Sequence, residues 1–249
     1  VYQSCYRLVV TVALLACTTT VSAQGDFSVL GLRTKALEAL EKHDDRAAIE
    51  NADAMIRQAP KDPRIARLAA DIYLRAGEYK AAVRLFDRYL ESEQQALPEL
   101  WQRGIALYFR RDYQAAAKQF EVHRTVNPND VENAAWHFLC VAKAQSPAAA
   151  KANVLPAPGD PRVPMEEVLQ LLKTGDKQAI TDKIATLEED SQQRKTAQFY
   201  GDFYLGLYAD AMGETAEAKK SMNRAAKDAP RNYMGDVARV YAKFLNSKR

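Results

Sequence analysis

Three histidines, three cysteines and one short acidic run are the residues of this chain that could do chemistry by type alone. His43, His123 and His137 stand far apart, and none has a cysteine or carboxylate at the spacing a zinc site needs. Cys5 and Cys17 fall ahead of residue 23, which leaves Cys140 alone in the apolar string WHFLCVA and excludes an internal disulfide downstream of them. A lone cysteine in such a string reads as a small buried hydrophobe. Glu188, Glu189 and Asp190 are consecutive, whereas a calcium loop alternates its ligands, so the run reads as a solvated helix end. A glycine-rich phosphate loop, a nucleophile elbow and an HExxH helix are all missing from the sequence. The reading is therefore a protein with no cofactor, no metal and no enzymatic role. The case left open is a carboxylate pair assembled only in three dimensions, as in a helical enzyme acting on cell-wall material.

Charge does not name a partner either. The 35 basic residues against 32 acidic ones give +3, too even a balance to argue for nucleic acid. The N-terminus is more informative: VYQSCYR carries one arginine, LVVTVALLA is a short apolar core, and CTTTVSA leads to Gln24. This pattern predicts a signal peptide over 1–23 and an exported protein, periplasmic or held at the cell envelope. Two processing routes fit. Val21 and Ala23 form a small-residue cleavage site before Gln24, whereas Leu14, Leu15, Ala16 and Cys17 resemble a lipobox that would lipidate Cys17 and tether the protein. The apolar core is about half of the roughly 20 residues a membrane-spanning helix needs, and the sequence beyond it carries no transmembrane helix.

Internal repetition organises the remainder. Landmark residues recur with a period of 34 from Val29, Pro63 and Leu97, and return in register at Phe199. The block from Pro63 carries Ala70, Tyr73, Gly77, Tyr79, Ala82 and Phe86; that from Leu97 carries Gly104, Leu107, Tyr113, Ala116, Phe120 and Pro128. Leu205, Gly206, Gly213, Ala218, Ala225 and Pro230 repeat the pattern in the block from Phe199, while the block from Val29 matches mainly at Ala48 and Pro60. These landmarks resemble those of the tetratricopeptide repeat family over most of the chain. The resemblance implies an all-α, right-handed superhelical solenoid of antiparallel helix pairs. It also implies that Gly104, at the eighth position of its block, gives up about 1 kcal/mol of helix propensity so that a neighbouring helix backbone can approach, together with Ala116. His123, at the twenty-seventh position, becomes a core packing residue.

On this register the chain divides into the signal peptide 1–23, an N-terminal array 24–130, a degenerate repeat 131–198, a further repeat 199–232 and a capping helix 233–249. Within 131–198 the stretch 146–164 holds five of the ten prolines and reads as an irregular surface loop. Asp62 before Pro63, and Asp130 before the next helical string, read as N-caps. The order of parts is similar to that of exported bacterial envelope adaptors of the new lipoprotein I type, and the strings at Arg162–Met165 and Tyr233–Val240 are similar to those of other exported bacterial tetratricopeptide proteins. That resemblance implies a scaffold that recruits other proteins and that can dimerise.

The family geometry also implies where a partner would bind, because the first helix of each pair lines the concave face. In the block from Pro63 the groove positions are Arg64, Arg67, Asp71, Leu74 and Arg75; in the block from Leu97 they are Pro98, Trp101, Ile105, Tyr108 and Phe109. The expected partner is thus a protein or peptide with apolar anchors and some acidic character, bound by Arg64, Arg67, Asp71, Arg75, Trp101, Ile105, Tyr108 and Phe109. The alternative is that these aromatics pack against another part of the chain or a second copy, giving a self-associating structural solenoid. The arginine and aspartate at Arg67 and Asp71 do not reproduce the lysine and asparagine pair of chaperone-tail clamps.

Overall fold

The computed structural model describes residues 23–247. Most of the predicted leader, with Cys5 and Cys17, and the basic end Lys248–Arg249 lie outside the described residues. Among the described residues the chain is built of helices joined by short turns, with no strand. Helices α1 (Ala23–Glu41) and α2 (Asp45–Gln58), α3 (Pro63–Arg75) and α4 (Tyr79–Ser92), and α5 (Trp101–Phe109) and α6 (Tyr113–His123) form three successive hairpins. A 3-10 turn, Gln94–Glu99, leads into α5. Next come α7 (Val131–Ala144), short α8 (Pro147–Ala152), α9 (Met165–Thr174) and α10 (Gln178–Ala185). The long α11 (Gln192–Met212), α12 (Thr215–Lys227) and α13 (Tyr233–Ser247) complete the array. This is the tandem all-α architecture of a tetratricopeptide-like solenoid.

Local chemistry explains the boundaries. The Asp62 side chain accepts from the Arg64 N–H at 2.9 Å with Pro63 at the first helical position, and Asp130 accepts from the Glu132 N–H at 3.1 Å. Each cap satisfies one of the amides that a helix start leaves without a partner. Gly77, Gly175 and Gly213 follow α3, α9 and α11 with φ between +81° and +89°, a left-handed conformation that glycine adopts without strain.

Two expectations need correction here. Gly104 does not admit a helix backbone: a Cβ there would sit 2.7 Å from Cζ of Phe120, so the space is taken by that ring. The backbone approach occurs instead at Gly206, where a Cβ would lie 3.0 Å from the Met222 amide nitrogen of α12. The expected division at residue 199 also falls inside α11, which runs unbroken from Gln192 to Met212. The methyl end of Ile184 fills the space beside Gly201.

The proline-rich stretch is organised by its polar ends. Ser146 caps α8 through a 3.1 Å bond from the Ala149 N–H. Past α8 the chain is irregular to Pro164, but it is fastened to the start of α7. Asp160 accepts from the Val131 N–H at 3.2 Å, and Arg162 bonds Asp130 at 2.7 Å, Asp160 at 2.6 Å and Glu132.

Candidate partner-binding cleft

The middle of the expected groove is filled from within. Tyr108 on α5 and Tyr241 on α13 both donate to the same carboxylate oxygen of Asp210 on α11, Tyr241 at 2.8 Å. The other oxygen of Asp210 receives the Lys143 ammonium of α7 at 2.7 Å. One buried carboxylate therefore joins four helices that are distant in sequence. Burial, followed by the Asp210 charge, pushes the Tyr108 hydroxyl well above the usual phenol range; Tyr241 is raised likewise by burial, then by Tyr108 and Asp210. Both phenols thus stay protonated and able to donate.

Apolar packing follows the same line. Phe244 of α13 meets Phe109 at 5.2 Å between ring centroids and Tyr79 at 6.2 Å, and Tyr241 stacks on Trp136 of α7 at 5.7 Å. Ion pairs lock the helix at its ends, Arg75 to Asp236 at 2.7 Å and Lys243 to Asp45. The last helix does more than cover one end of the array, because its side chains reach α3, α5, α7 and α11.

Several expected groove residues are accordingly withdrawn from solvent. Ile105 and Tyr108 are 0% exposed and Phe109 is 1% exposed, so none of them offers a surface to a partner. Their spacing on α5 is right for the concave face, but Tyr108 and Phe109 pack against Tyr241 and Phe244 of the chain's own α13. Arg75 is likewise engaged, by Asp236 and by the Tyr233 ring 5.3 Å from its guanidinium. Leu74 is fully buried.

Two open clefts share Tyr233, the first residue of α13, as a wall. The first, about 370 Å³, is lined by Arg64, Arg67, Asp71, Gln102 and Tyr233 with Leu68, Phe86 and Tyr89. Arg64 is exposed and pairs with Asp62 at 2.7 Å; Arg67 is half-buried with its guanidinium 5.5 Å from the centre of the Tyr89 ring. Asp71 lies deeper, 3.9 Å from Arg75, and burial pushes its carboxyl above the ordinary range despite that arginine. The second cleft, about 390 Å³, has Trp101, Phe120, Trp136, Tyr200 and Tyr233 as its aromatic walls, with Asp130, Glu132, Arg162 and His123 among its polar residues. Trp101 is half-buried and meets Tyr233 edge to face at 4.8 Å.

Of the expected residues, then, Arg64, Arg67, Asp71 and Trp101 line open clefts. Trp136, Tyr200, Tyr233 and the Asp130, Glu132 and Arg162 cluster were not anticipated. Trp136 lies on α7, the first helix of the next block, but continuing the register from Val131 would have reached Glu132 at the second position and not Trp136, which falls at the sixth. The role of Tyr233 required knowing that α13 turns inward. Glu132 is largely buried, and burial raises its carboxyl although Arg162 and the Tyr204 hydroxyl at 2.7 Å pull the other way. Nothing here assembles a metal centre: among the described residues no group of three or more His, Cys, Asp and Glu side chains could hold an ion.

Residues 39–103 match the tetratricopeptide repeat family. The match spans the last three residues of α1 through the start of α5, which takes in Arg64, Arg67 and Asp71 and ends just past Trp101. It supports a tetratricopeptide repeat protein, a class that generally mediates protein–protein contacts as a scaffold and is typically not enzymatic. No curated protein matches the chain. No helix among the described residues is long and apolar enough to cross a membrane.

Proposed function

We propose that the protein is an exported scaffold of the bacterial cell envelope that holds a protein partner by a segment laid across Tyr233, between the two open clefts of its concave side. The observation that carries this reading is the pair of clefts itself. The inner helix buries the central aromatics of the groove yet leaves two clefts that share one residue as a wall, with Trp101 half-exposed at the boundary. Pockets of a few hundred Å³ with aromatic walls and a few fixed polar groups are the usual form of a binding site. Export rests on the leader read in the sequence, and tethering through Cys17 is the variant of the same reading in which the lipobox is used.

Affinity capture from an envelope fraction, comparing the unmodified protein with Trp101→Ala, tests the proposal. The expected result is one or more partners retained by the first and lost by the second while circular dichroism is unchanged. Unaltered recovery by Trp101→Ala would overturn the cleft assignment, and recovery of the chain itself as the dominant species would favour the self-associating solenoid. The mass of the mature N-terminus separates cleavage before Gln24 from a lipidated Cys17.

A further inference from the structure

We infer that the cleft between Trp101 and α7 receives a basic side chain, lysine or arginine, from the partner segment; this rests on the reading above and names the chemistry of its anchor. Three carboxylates, Asp130, Glu132 and Asp160, converge on Arg162, whose guanidinium bonds all three. Asp130 and Glu132 face the cleft, and Arg162 is the one permanently charged cation among the described residues that line it. Among the residues that line the cleft the balance is negative, two carboxylates against one guanidinium. His123 adds an acceptor: its Nδ1 contacts the Pro98 carbonyl at 2.7 Å, so the neutral ring must hold its proton there and present Nε2 without one.

The rest of the wall is aromatic. Trp101, Tyr200 and Tyr233 line it, and aromatic rings attract a cation over their faces. A wall rich in acceptors and aromatic rings and carrying a surplus of negative charge complements an ammonium or guanidinium group, and it repels a carboxylate. The acidic character expected of the partner therefore suits the Arg64 and Arg67 cleft beyond Tyr233, not this one.

Trp101 and Trp136 are the only tryptophans of the chain, and both line the cleft, so intrinsic fluorescence reports on it without a label. The probes are blocked pentapeptides, Ala-Leu-Lys-Leu-Ala and its arginine, norleucine and glutamate counterparts, titrated into the full protein. The expected result is a saturable change with lysine and arginine only, weakened by added salt and by about tenfold in Asp130→Asn, the loss of one charge-assisted contact. Asparagine is itself a good N-cap, so this variant removes the charge while keeping an acceptor for the Glu132 amide. Equal binding of the norleucine peptide, tighter binding of the glutamate peptide, or no response to any of the four overturns the inference. In those cases the scaffold reading still stands if Trp101→Ala loses its captured partner, and falls with it if not.

Discussion

Removing the charge of Asp210 should release the inner helix, and the size of the effect follows from the bonds it makes. Its carboxylate, on α11, accepts from two buried phenols and a lysine on three other helices. Tyr241→Phe keeps the ring and deletes one hydroxyl, while Tyr108 and Lys143 still satisfy the carboxylate. A hydrogen bond to a charged group contributes about 1.5–3 kcal/mol, and the lower figure applies where the acceptor stays satisfied. Asp210→Asn is more severe. One amide oxygen must then serve two phenols, and Lys143 loses its counter-ion; its side chain is 21% exposed and can turn toward water, which limits the loss to about 3 kcal/mol. Because the two substitutions remove parts of one network, the double variant should be less destabilised than the sum by about 1–2 kcal/mol. Urea unfolding followed by tryptophan fluorescence is the assay, since Tyr241 stacks on Trp136 and Tyr233 contacts Trp101. With a slope near 3 kcal/mol per molar urea, midpoints should fall by about 0.5 M and about 1 M for the two single variants. Shifts under about 0.2 M in both, or strict additivity, would show that Asp210 does not hold α13 against α5 and α11.

Other consequences are independent of that cluster. Gly104→Ala and Gly206→Ala should each destabilise by about 1–3 kcal/mol through overpacking, but only the first should be rescued by Phe120→Leu, because the Phe120 ring is the obstacle there whereas the nearest one at Gly206 is the Met222 backbone. Thermal midpoints of the single and paired variants decide it. His137 is buried on α7 with its ring 3.6 Å from Glu121, and burial lowers its proton affinity more than that carboxylate restores it. The unfolded chain then binds a proton near pH 6.5 that the folded one refuses, so stability is lost as pH falls below about 6.5, with a limiting slope of about 1.4 kcal/mol per pH unit. In His137→Gln, urea midpoints measured between pH 7 and pH 5 should vary less; an unchanged slope would refute the assignment. Arg162→Leu should speed proteolytic cleavage within 153–164, since the irregular stretch is fastened to α7 through that guanidinium; cleavage at the original rate would mean that Asp160 alone suffices.

The limits of the sequence lie at particular residues. Helix pairs were legible because proline, the capping aspartates and the 34-residue landmarks act within a few residues of one another, and α3 and α7 begin at Pro63 and Val131 as those signals dictate. Gly104 misled because a missing side chain announces only that something comes close; whether that is a backbone or the Phe120 ring depends on a rotamer. Gly206, at the same position of its block, does meet a backbone, that of Met222. The site was half legible. Arg64, Arg67, Asp71 and Trp101 follow from repeat geometry alone, since that geometry sets which way each helix faces.

The remaining groove residues depended on where the chain goes after its last repeat, which periodicity does not encode. Tyr233, Asp236, Tyr241 and Phe244 are compatible with a helix that covers one end, and also with one that turns inward along the concave face. What distinguishes the two is pairing across long separations: Arg75 to Asp236 and Lys243 to Asp45 span 161 and 198 residues. In an open solenoid each repeat touches only its neighbours, so stability adds up locally and the ends fray independently. Here the last helix contacts α3, α5, α7 and α11, so loosening either end removes contacts from the other. The same closure decides which surface stays open. It removes the broad apolar face of α5 from solvent, and it converts one long groove into two short clefts of opposite charge balance that meet at Tyr233.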